Sequence, residues 1–549
     1  MSMGNDTNQY PVIIAGGGPV GVALAIDLAM RNIASVIVEA RRDGELIPAK
    51  ANMTNIRSME HFRRWGIADR LRANDCVSAE VQRDVTFVTR LNGHLIHHFP
   101  KTYESQDALA FAAETGEWAP NRAIERTLYE RARELPLISR IFESEVVDFV
   151  QHPDGVRARV SGPHGLTTLN GQYFVLATGA RSPMRRSLMN VRMVGTPNLG
   201  RAFSWHIRAP EIKKLWKAGP VASMVYFYNS DRSDDLLIPQ NEDATEFLYY
   251  SCPMPEGFDG DNWNDVRKLL FGAVGAEFDV EPISGGSFSL HSLVAPRFDF
   301  GRTFLAGDAA HMVSPQGGFG MNLGIGDAAD LGWKLQAVIE GWGGDQLLPS
   351  YTIERREAVI LCQLGSEENQ AMQAHSLVLD GIEEDGPAGD AVRSEVSRLI
   401  VEKKTQQFKS MGGQLGYSYT ASNIIVGDGG APVEPLFRVF TEAARPGNRA
   451  PHRFLRDGSA LYDHIGRGFT LLILDDFDVE PWRSAAAKRG IPLEIFAPND
   501  AEDRRILREI YKEAATLVRS DHHIAWHGSV QPHNVERVLK IVSGNALSA

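Results

Sequence analysis

Two glycine-rich turns and two carboxylates near them are the parts of this chain whose residue types and spacing suggest chemistry. The first turn is Gly16-Gly17-Gly18-Pro19-Val20-Gly21, with Glu39 about twenty residues further on. Gly16 permits a tight turn, Gly18 lets backbone approach a pyrophosphate, and Gly21 lets a helix pack on the preceding strand. Gly16, Gly18, Pro19 and Gly21, with Glu39 and Arg41, are therefore candidate cofactor-binding residues. Glu39 can accept hydrogen bonds from a ribose. It disfavours a 2′-phosphate there, an inference that Arg41 and Arg42 weaken, and the motif alone does not separate FAD from NAD. The second turn is Ser314-Pro315-Gln316-Gly317-Gly318-Phe319-Gly320-Met321-Asn322, preceded by Gly307-Asp308. Asp308 can accept hydrogen bonds from a polyol. The glycines leave backbone N–H groups uncovered where a helix begins, which stabilises negative charge.

Both turns need elements to hold them. Tyr10–Ala15 reads as a buried strand, Val22–Ala29 as a helix and Ser35–Val38 as a second strand, the context a dinucleotide fingerprint requires. Thr303–Ala306 reads as a strand that delivers Gly307 and Asp308 at its C-terminal end. A helix then runs from the second turn to about Ile339, with Leu323, Ala328, Leu331, Leu335 and Val338 apolar at helical spacing.

The chain has 549 residues, enough for two or three domains, with ordinary globular contents of 43% apolar and 23% charged residues. Its net charge of -12 argues against nucleic acid as the main partner. Cys76, Cys252 and Cys362 are far apart and lack metal-ligand spacing, so scattered buried thiols are expected and neither a disulfide framework nor a metal site is. The polar start, Met1 to Tyr10, has no apolar signal core, and no apolar run reaches the roughly 20 residues of a membrane helix. A reducing, cytoplasmic setting without membrane contact is expected.

Taken together, the two turns, Glu39, Asp308, Asp327-Ala328-Ala329-Asp330-Leu331-Gly332-Trp333-Lys334-Leu335 and Leu348-Pro349-Ser350-Tyr351-x-x-Glu354-Arg355-Arg356 resemble the single-component FAD-dependent aromatic hydroxylases, the family of p-hydroxybenzoate and phenol hydroxylases. The resemblance covers most of the chain. It implies FAD, with Asp308 holding the ribitol and the Gly318, Gly320, Met321 and Asn322 backbone facing the pyrimidine end of the isoalloxazine ring. The family's middle motif, usually Asp-Gly, is here Thr178-Gly179 after the strand Tyr173–Ala177. Phe319 replaces a common Gln. Lys50 stands where an Arg reaches the flavin region. Asn121 replaces a usual Gln at a helix start that also presents Arg122, a flavin neighbour or a helix-surface arginine.

The fold implied is α/β and α+β: a Rossmann-like FAD-binding domain (1–75, 105–185 and 296–395), a mixed-sheet substrate domain (76–104 and 186–295) and a thioredoxin-like C-terminal domain (396–549) of the longer family members. A working thioredoxin site needs paired cysteines, and none lies beyond Cys362, so this last domain is expected to be a packing or dimer surface. Tyr226, Tyr228, Tyr249 and Tyr250 lie in aromatic strand-like runs. They are candidate substrate contacts, with strand core as the competing reading. Pro315 is the candidate active-site wall. His206 and His291 could act as bases, although a lone histidine is more often satisfied structure, and no catalytic base is assigned.

The resemblance implies a monooxygenase that uses NADPH or NADH and O2 to hydroxylate a phenolic or related small aromatic substrate through a flavin hydroperoxide. Two alternatives stand beside it. One is oxygenation of a polycyclic polyketide by hydroxylation, epoxidation or Baeyer–Villiger chemistry. The other is a non-catalytic flavin-binding protein, which Thr178 supports.

Overall fold

The computed structural model describes residues 8–545 except 46, 48, 49, 51, 75–80, 103–105, 188, 232, 242, 374–376 and 432. Cys76 lies outside the described residues, and Cys252 and Cys362 are buried free thiols. Among the described residues, no helix is long and apolar enough to cross a membrane.

The first sheet is built around five parallel strands. Gln9–Ala15 sits between Ser35–Val38 and Gly165–Leu176, with Ile138–Ile141 and Thr303–Leu305 outside them. Parallel strands are covered on both faces and so read as apolar runs. Val12, Ile13 and Ile14 are fully buried, which accounts for the absence of alternation in that stretch. The helix Pro19–Met30 and the long helix Phe319–Ile339 cross on one face of the sheet. The crossing is close because the long helix carries glycines there. A Cβ on Gly324 would strike Val20, and one on Gly332 would strike the Asp27 carboxylate. Asp27 cannot retreat, since it accepts from Arg31 Nε at 2.6 Å, Arg64 Nη2 at 2.7 Å and Trp65 Nε1 at 2.8 Å. Gly332→Ala is therefore expected to lower stability by about 1–3 kcal/mol, the usual range for overpacking. Urea unfolding of the FAD-loaded protein checks it, and an unchanged midpoint would contradict the packing described.

The second sheet runs in the order His311–Met312, Glu281–Val294, Val194–Arg208, Glu246–Ser251, Ser233–Pro239, Ala222–Tyr228, Gln82–Val88, Leu95–Phe99. Segments 76–104 and 186–295 thus both supply its strands. The two-residue side-chain period of a strand sorts its aromatics. Tyr226, Tyr228 and Tyr250 share one face with Met53, Trp118 and Phe408. Val225, Phe227 and Tyr249 share the other with Phe203, Phe247 and the helix Trp263–Val274. The helix Gly386–Phe408 covers part of the first face. Position 395/396, the expected domain boundary, falls inside this helix, whose apolar side packs on the second sheet.

The C-terminal part of the chain holds a four-stranded sheet, Leu493–Phe496, Phe469–Ile473, Ala515–Arg519 and Ile524–Gly528 in order, with helices Glu480–Arg489, Ala501–Tyr511 and Val535–Val542. Only the first pair is parallel, an arrangement compatible with a thioredoxin-like domain. It is not a loose appendage. Its core continues into Trp333, Ala337 and Trp342 of the first domain. Beneath this apolar contact, Lys334 Nζ binds Asp330 at 2.8 Å and Glu354 at 2.6 Å, while Arg519 from the third sheet binds Glu354 at 2.6 Å, Asp330 at 3.1 Å and Asp521. Burial would raise the Glu354 pKa, but Arg519 and Lys334 hold it far below the usual range. The three carboxylates that converge here are thus engaged by two cations.

Candidate functional site

The first turn forms the mouth of a cradle. Gly16 has φ +106°, and a Cβ there would meet the Ala177 carbonyl. A Cβ on Gly21 would collide with the Gly16 carbonyl, so that glycine is set by helix–strand packing. Gly18 differs: nothing lies within 4 Å of its would-be Cβ. It caps the helix Pro19–Met30 with no side-chain cap, and Pro19 takes a first-turn position where its missing N–H is no loss. An uncapped helix start beside open space is where a phosphate fits.

Glu39 closes the far side of the turn. Its Oε2 accepts from Gly17 N at 2.6 Å, and its Oε1 accepts from Arg41 N at 2.9 Å and Arg41 Nε at 3.0 Å. Burial would raise the carboxyl pKa; the Arg41 and Gly17 hydrogen bonds hold it below the ordinary value. Arg41 is itself locked, to Glu125 at 2.9 Å and to the Gly17 carbonyl at 3.2 Å. The protein thus uses Arg41 to hold the turn and Glu39 in place. The helix Asn121–Glu134, whose start the sequence singled out at Asn121 and Arg122, provides the support, and its Glu125 and Tyr129 are the residues that sequence reasoning missed. Tyr129 donates to the Gly17 carbonyl at 2.7 Å, Glu125 accepts from Ile47 N at 2.7 Å, and Asn121 accepts from Lys50 N at 3.0 Å. Asn121, Glu125 and Tyr129 are spaced four apart, so they form one stripe. That polar stripe on an apolar helix face was the available signal.

Across the cradle, Thr178 and Gly179 follow the strand Gly165–Leu176, Gly179 at φ +77°. The Thr178 hydroxyl is buried and has no hydrogen-bond partner. Gly307, at φ +61°, turns the chain so that Asp308 reaches solvent at the floor of a cleft walled by protein. That enclosure raises the Asp308 pKa, while the charges of His311, Lys50 and Arg185 oppose the rise. The Gly307 turn is pinned by Asp327, which accepts from Gly307 N at 3.0 Å and Arg355 Nε at 2.8 Å and lies 2.8 Å from His311 Nε2. Burial works against ionisation of Asp327, yet His311 and Arg355 bring its pKa to about 2. Asp327 and Arg355 lie in the stretches that carried the family resemblance, but only the fold assigns them this holding role.

The second turn leads into the helix Phe319–Ile339 through Gly317 at φ +111° and Gly318 at φ +70°, conformations that favour glycine. No side chain caps that helix start. Gly320 stands next to Asp308; its would-be Cβ lies 3.9 Å from Asp308 Oδ1. Met321 is half-buried in the same first turn. The Asn322 side chain faces inward: its Nδ2 donates to the Gly318 carbonyl at 2.7 Å and the Met53 carbonyl at 3.1 Å, and its Oδ1 accepts from Asn55 N at 2.9 Å. Asn322 thus ties the segment after Lys50 to the second turn. Pro315 is exposed on this loop.

The loop is joined to the sheet face described above. Gln407 Nε2 donates to the Tyr226 hydroxyl at 2.8 Å and to Gln316 Oε1 at 3.0 Å, and Ser314 donates to Gln370 at 3.1 Å. Tyr226 stacks on Phe87 with centroids 4.8 Å apart. Tyr226, Tyr228 and Tyr250 are thereby brought to the same side as the loop. Tyr249 is not. It points to the opposite face and donates to Asp235 at 2.8 Å, because neighbours in a strand cannot share a face. Arg122 turns to the sheet, where Glu246 receives Arg122 at 3.4 Å, His206 at 3.0 Å and Arg208 at 3.2 Å. Burial keeps His206 below its ordinary pKa against the pull of Glu246. His291 accepts from Asn198 N at 3.2 Å. Both histidines have structural partners.

The chemistry of the cleft suits a flavin dinucleotide. Gly18 offers the space a Cβ would fill, two helices begin without side-chain caps, Thr178 leaves a buried hydroxyl unsatisfied, and Asp308 is open at the floor.

Residues 9–361 match the family described as FAD binding domain, and residues 443–546 match the family described as aromatic-ring hydroxylase, C-terminal. The chain is 29% identical to the FAD-dependent monooxygenase apdD of Emericella nidulans, over 98% of this chain and 90% of that one. Among solved structures it is similar to the rebeccamycin biosynthetic enzyme RebC with reduced flavin, at TM-score 0.87 and 31% identity, covering 98% of this chain and 99% of that one. It is also similar to a ternary complex of aklavinone-11 hydroxylase with FAD and aklavinone, at TM-score 0.79 and 25% identity over 99% of both chains.

Proposed function

This chain belongs to the family of FAD-dependent monooxygenases in which an FAD-binding domain is followed by an aromatic-ring hydroxylase C-terminal domain, and from that premise we propose that it hydroxylates an electron-rich ring of a polycyclic phenolic substrate with NAD(P)H as electron donor. The balance is one substrate C–H, O2, NAD(P)H and a proton giving C–OH, water and NAD(P)+. When bound, FAD supplies the electron transfer between nicotinamide and dioxygen.

The reading rests on the sheet face tied to the Pro315–Gly318 loop. Tyr226, Leu236, Ile238, Leu248 and Tyr250 form an apolar, aromatic wall there, together with Met53. Such a wall takes flat rings and keeps water from the reacting centre. Support for a multi-ring substrate comes from the relative whose structure holds both FAD and aklavinone. Within this reading, the Gly18 turn would hold the pyrophosphate, the helix start after Gly318 would face the pyrimidine end of the isoalloxazine ring, and Asp308, with Thr178 across the cradle, would bond the ribitol. The Gln407 amide fixes the Tyr226 hydroxyl so that it orients a substrate oxygen.

Two measurements test this. The FAD-loaded protein is offered single-ring phenols and polycyclic phenols while NAD(P)H consumption and product mass are followed under 18O2. The expected result is a product heavier by one labelled oxygen with polycyclic phenols. A lack of NAD(P)H oxidation with every phenol would overturn the reading, and label in a ring-expanded lactone would replace hydroxylation by insertion into a C–C bond. Tyr226→Phe is expected to leave FAD content unchanged and to lower product formed per NAD(P)H consumed by about tenfold, the worth of one buried hydrogen bond of ~1.4 kcal/mol. Unaltered coupling would remove Tyr226 from the site.

A further inference from the structure

A second cleft, of about 360 Å³, lies away from the flavin cradle, between the end of the helix Pro19–Met30, the helix Ile56–Arg64 and the third domain's segment around Tyr462–Arg467. Its size is at the lower end for small-molecule sites, about 300–1,000 Å³. The charge on its inner wall is unbalanced. Arg31 and Arg64 share the single carboxylate of Asp27. Beside them, Arg57 and Arg449 share the single carboxylate of Glu60. Arg31 and Arg64 line the cleft while Arg57 and Arg449 lie behind its wall, and these four guanidiniums share two carboxylates in buried surroundings, where uncompensated charge is costly.

Individual atoms show the same shortage of acceptors. Arg64 Nε is buried and has no partner. Burial, with Arg31 and Arg57 repelling it, brings the Arg64 pKa down to about 10 despite Asp27. His522 lines the cleft, and its Nδ1 sits 3.0 Å from Arg57 Nη1. A guanidinium can only donate, so Nδ1 accepts and Nε2 carries the hydrogen. That Nε2–H is also buried without a partner. Arg467 stands at the mouth, exposed, with no ion pair to its side chain among the described residues. The rim carboxylates do not cancel this excess. Asp463 is engaged by Arg63 through both oxygens at 2.8 Å. Glu494 is exposed, where water and salt screen it.

We propose that this interdomain cleft is a binding site for a phosphate group, held by Arg64, Arg467 and the His522 Nε2–H, and that its occupation fastens the third domain to the FAD-binding domain. A tetrahedral dianion supplies acceptors to several donors at once and matches the guanidinium fork. A ligand that binds only the docked, folded form stabilises it by mass action.

The test uses the FAD-loaded full chain. Inorganic phosphate is titrated against sodium chloride at matched ionic strength, and Tm and tryptophan fluorescence are followed; AMP in parallel distinguishes a free phosphate from one carried on a nucleoside. Tm is expected to rise by about 2–4 °C at saturation with phosphate and not with chloride. In Arg467→Gln, whose side chain is exposed and unpaired, the phosphate response should fall at least tenfold in apparent affinity while Tm without phosphate and FAD content stay unchanged. Arg64→Gln should abolish it. A phosphate response no larger than that of chloride, or one that survives intact in Arg467→Gln, would overturn the proposal. Neither outcome bears on FAD binding or oxygenation, which are measured separately.

Discussion

Asp308→Asn is expected to weaken FAD binding by about 100-fold while leaving the apoprotein at least as stable as before. The two effects have opposite signs for one physical reason. The carboxyl is enclosed by protein and its pKa lies above the ordinary value, so holding it ionised at neutral pH works against folding. A raised carboxyl pKa contributes stability that is present at low pH and lost as pH climbs through the folded value. Asparagine removes the charge and with it the penalty. What it takes from the site is a charged acceptor at the floor of the cleft, open to ligand and next to Gly320. Hydrogen bonds to a charged group contribute about 1.5–3 kcal/mol each, and two ribitol hydroxyls on one carboxylate would account for ~3 kcal/mol, a factor of roughly 100. FAD fluorescence quenching and apoprotein Tm, measured on the same samples, check both halves. A variant that keeps its FAD would remove Asp308 from the cofactor site. One that loses FAD only because the apoprotein is less stable would make Asp308 structural.

The second large effect concerns acid. His61, His452, His522 and His523 are all buried where the third domain meets the first. Burial comes first among the causes that lower them, and arginine neighbours add to it. His523 is brought to about 4 and His452 to about 3. In the unfolded chain each titrates near 6.5. Between these values the unfolded chain binds the proton and the folded one does not. Stability is therefore complete above about pH 7 and is lost as pH falls through 6.5 toward 4. A histidine held at 4 accounts for about 2 kcal/mol of that loss by pH 5, and several together approach the whole stability of a domain. The carboxylates do not interfere in this window. Glu354 and Asp327 are held low in the folded protein, so their contribution is lost only below about pH 4.5. The expected observation is a steep decline in Tm between pH 6.5 and 4.5 with exposure of tryptophan. His452→Phe should flatten it, since the ring packs among Phe454 and Tyr462 and neither ring nitrogen has a partner to lose. A Tm that is level from pH 7 to 5 would show that these histidines are already protonated or solvated.

The sequence alone determined the dinucleotide turn, the strands on either side of it and the long helix after Gly318. These are local codes: a Gly at φ +106°, a glycine where a helix crosses a strand and an apolar stripe at helical spacing each depend on residues within one or two turns of the chain. The strand Ser35–Val38 and the helix ending at Ile339 fall where the residue pattern predicts them. Within this family, the same patterns were enough to indicate FAD. Three matters were settled only by tertiary structure, because they depend on partners far apart in the chain. Tyr249 and Tyr250 look alike in sequence, and only sheet register sends Tyr250 to the face joined to the Pro315 loop and Tyr249 away from it. Arg122, next to Asn121, reads in sequence as either a flavin neighbour or a helix-surface arginine, and only the fold brings it to Glu246, more than a hundred residues away. The helix Gly386–Phe408 crosses the boundary that the family resemblance implied at 395/396, because its apolar side fits a sheet that no local pattern locates. The third domain had read as a separate packing unit without its own chemistry. Its Arg519, Asp521 and His522 instead enter a buried polar interface with the FAD-binding domain, through contacts that no local pattern encodes.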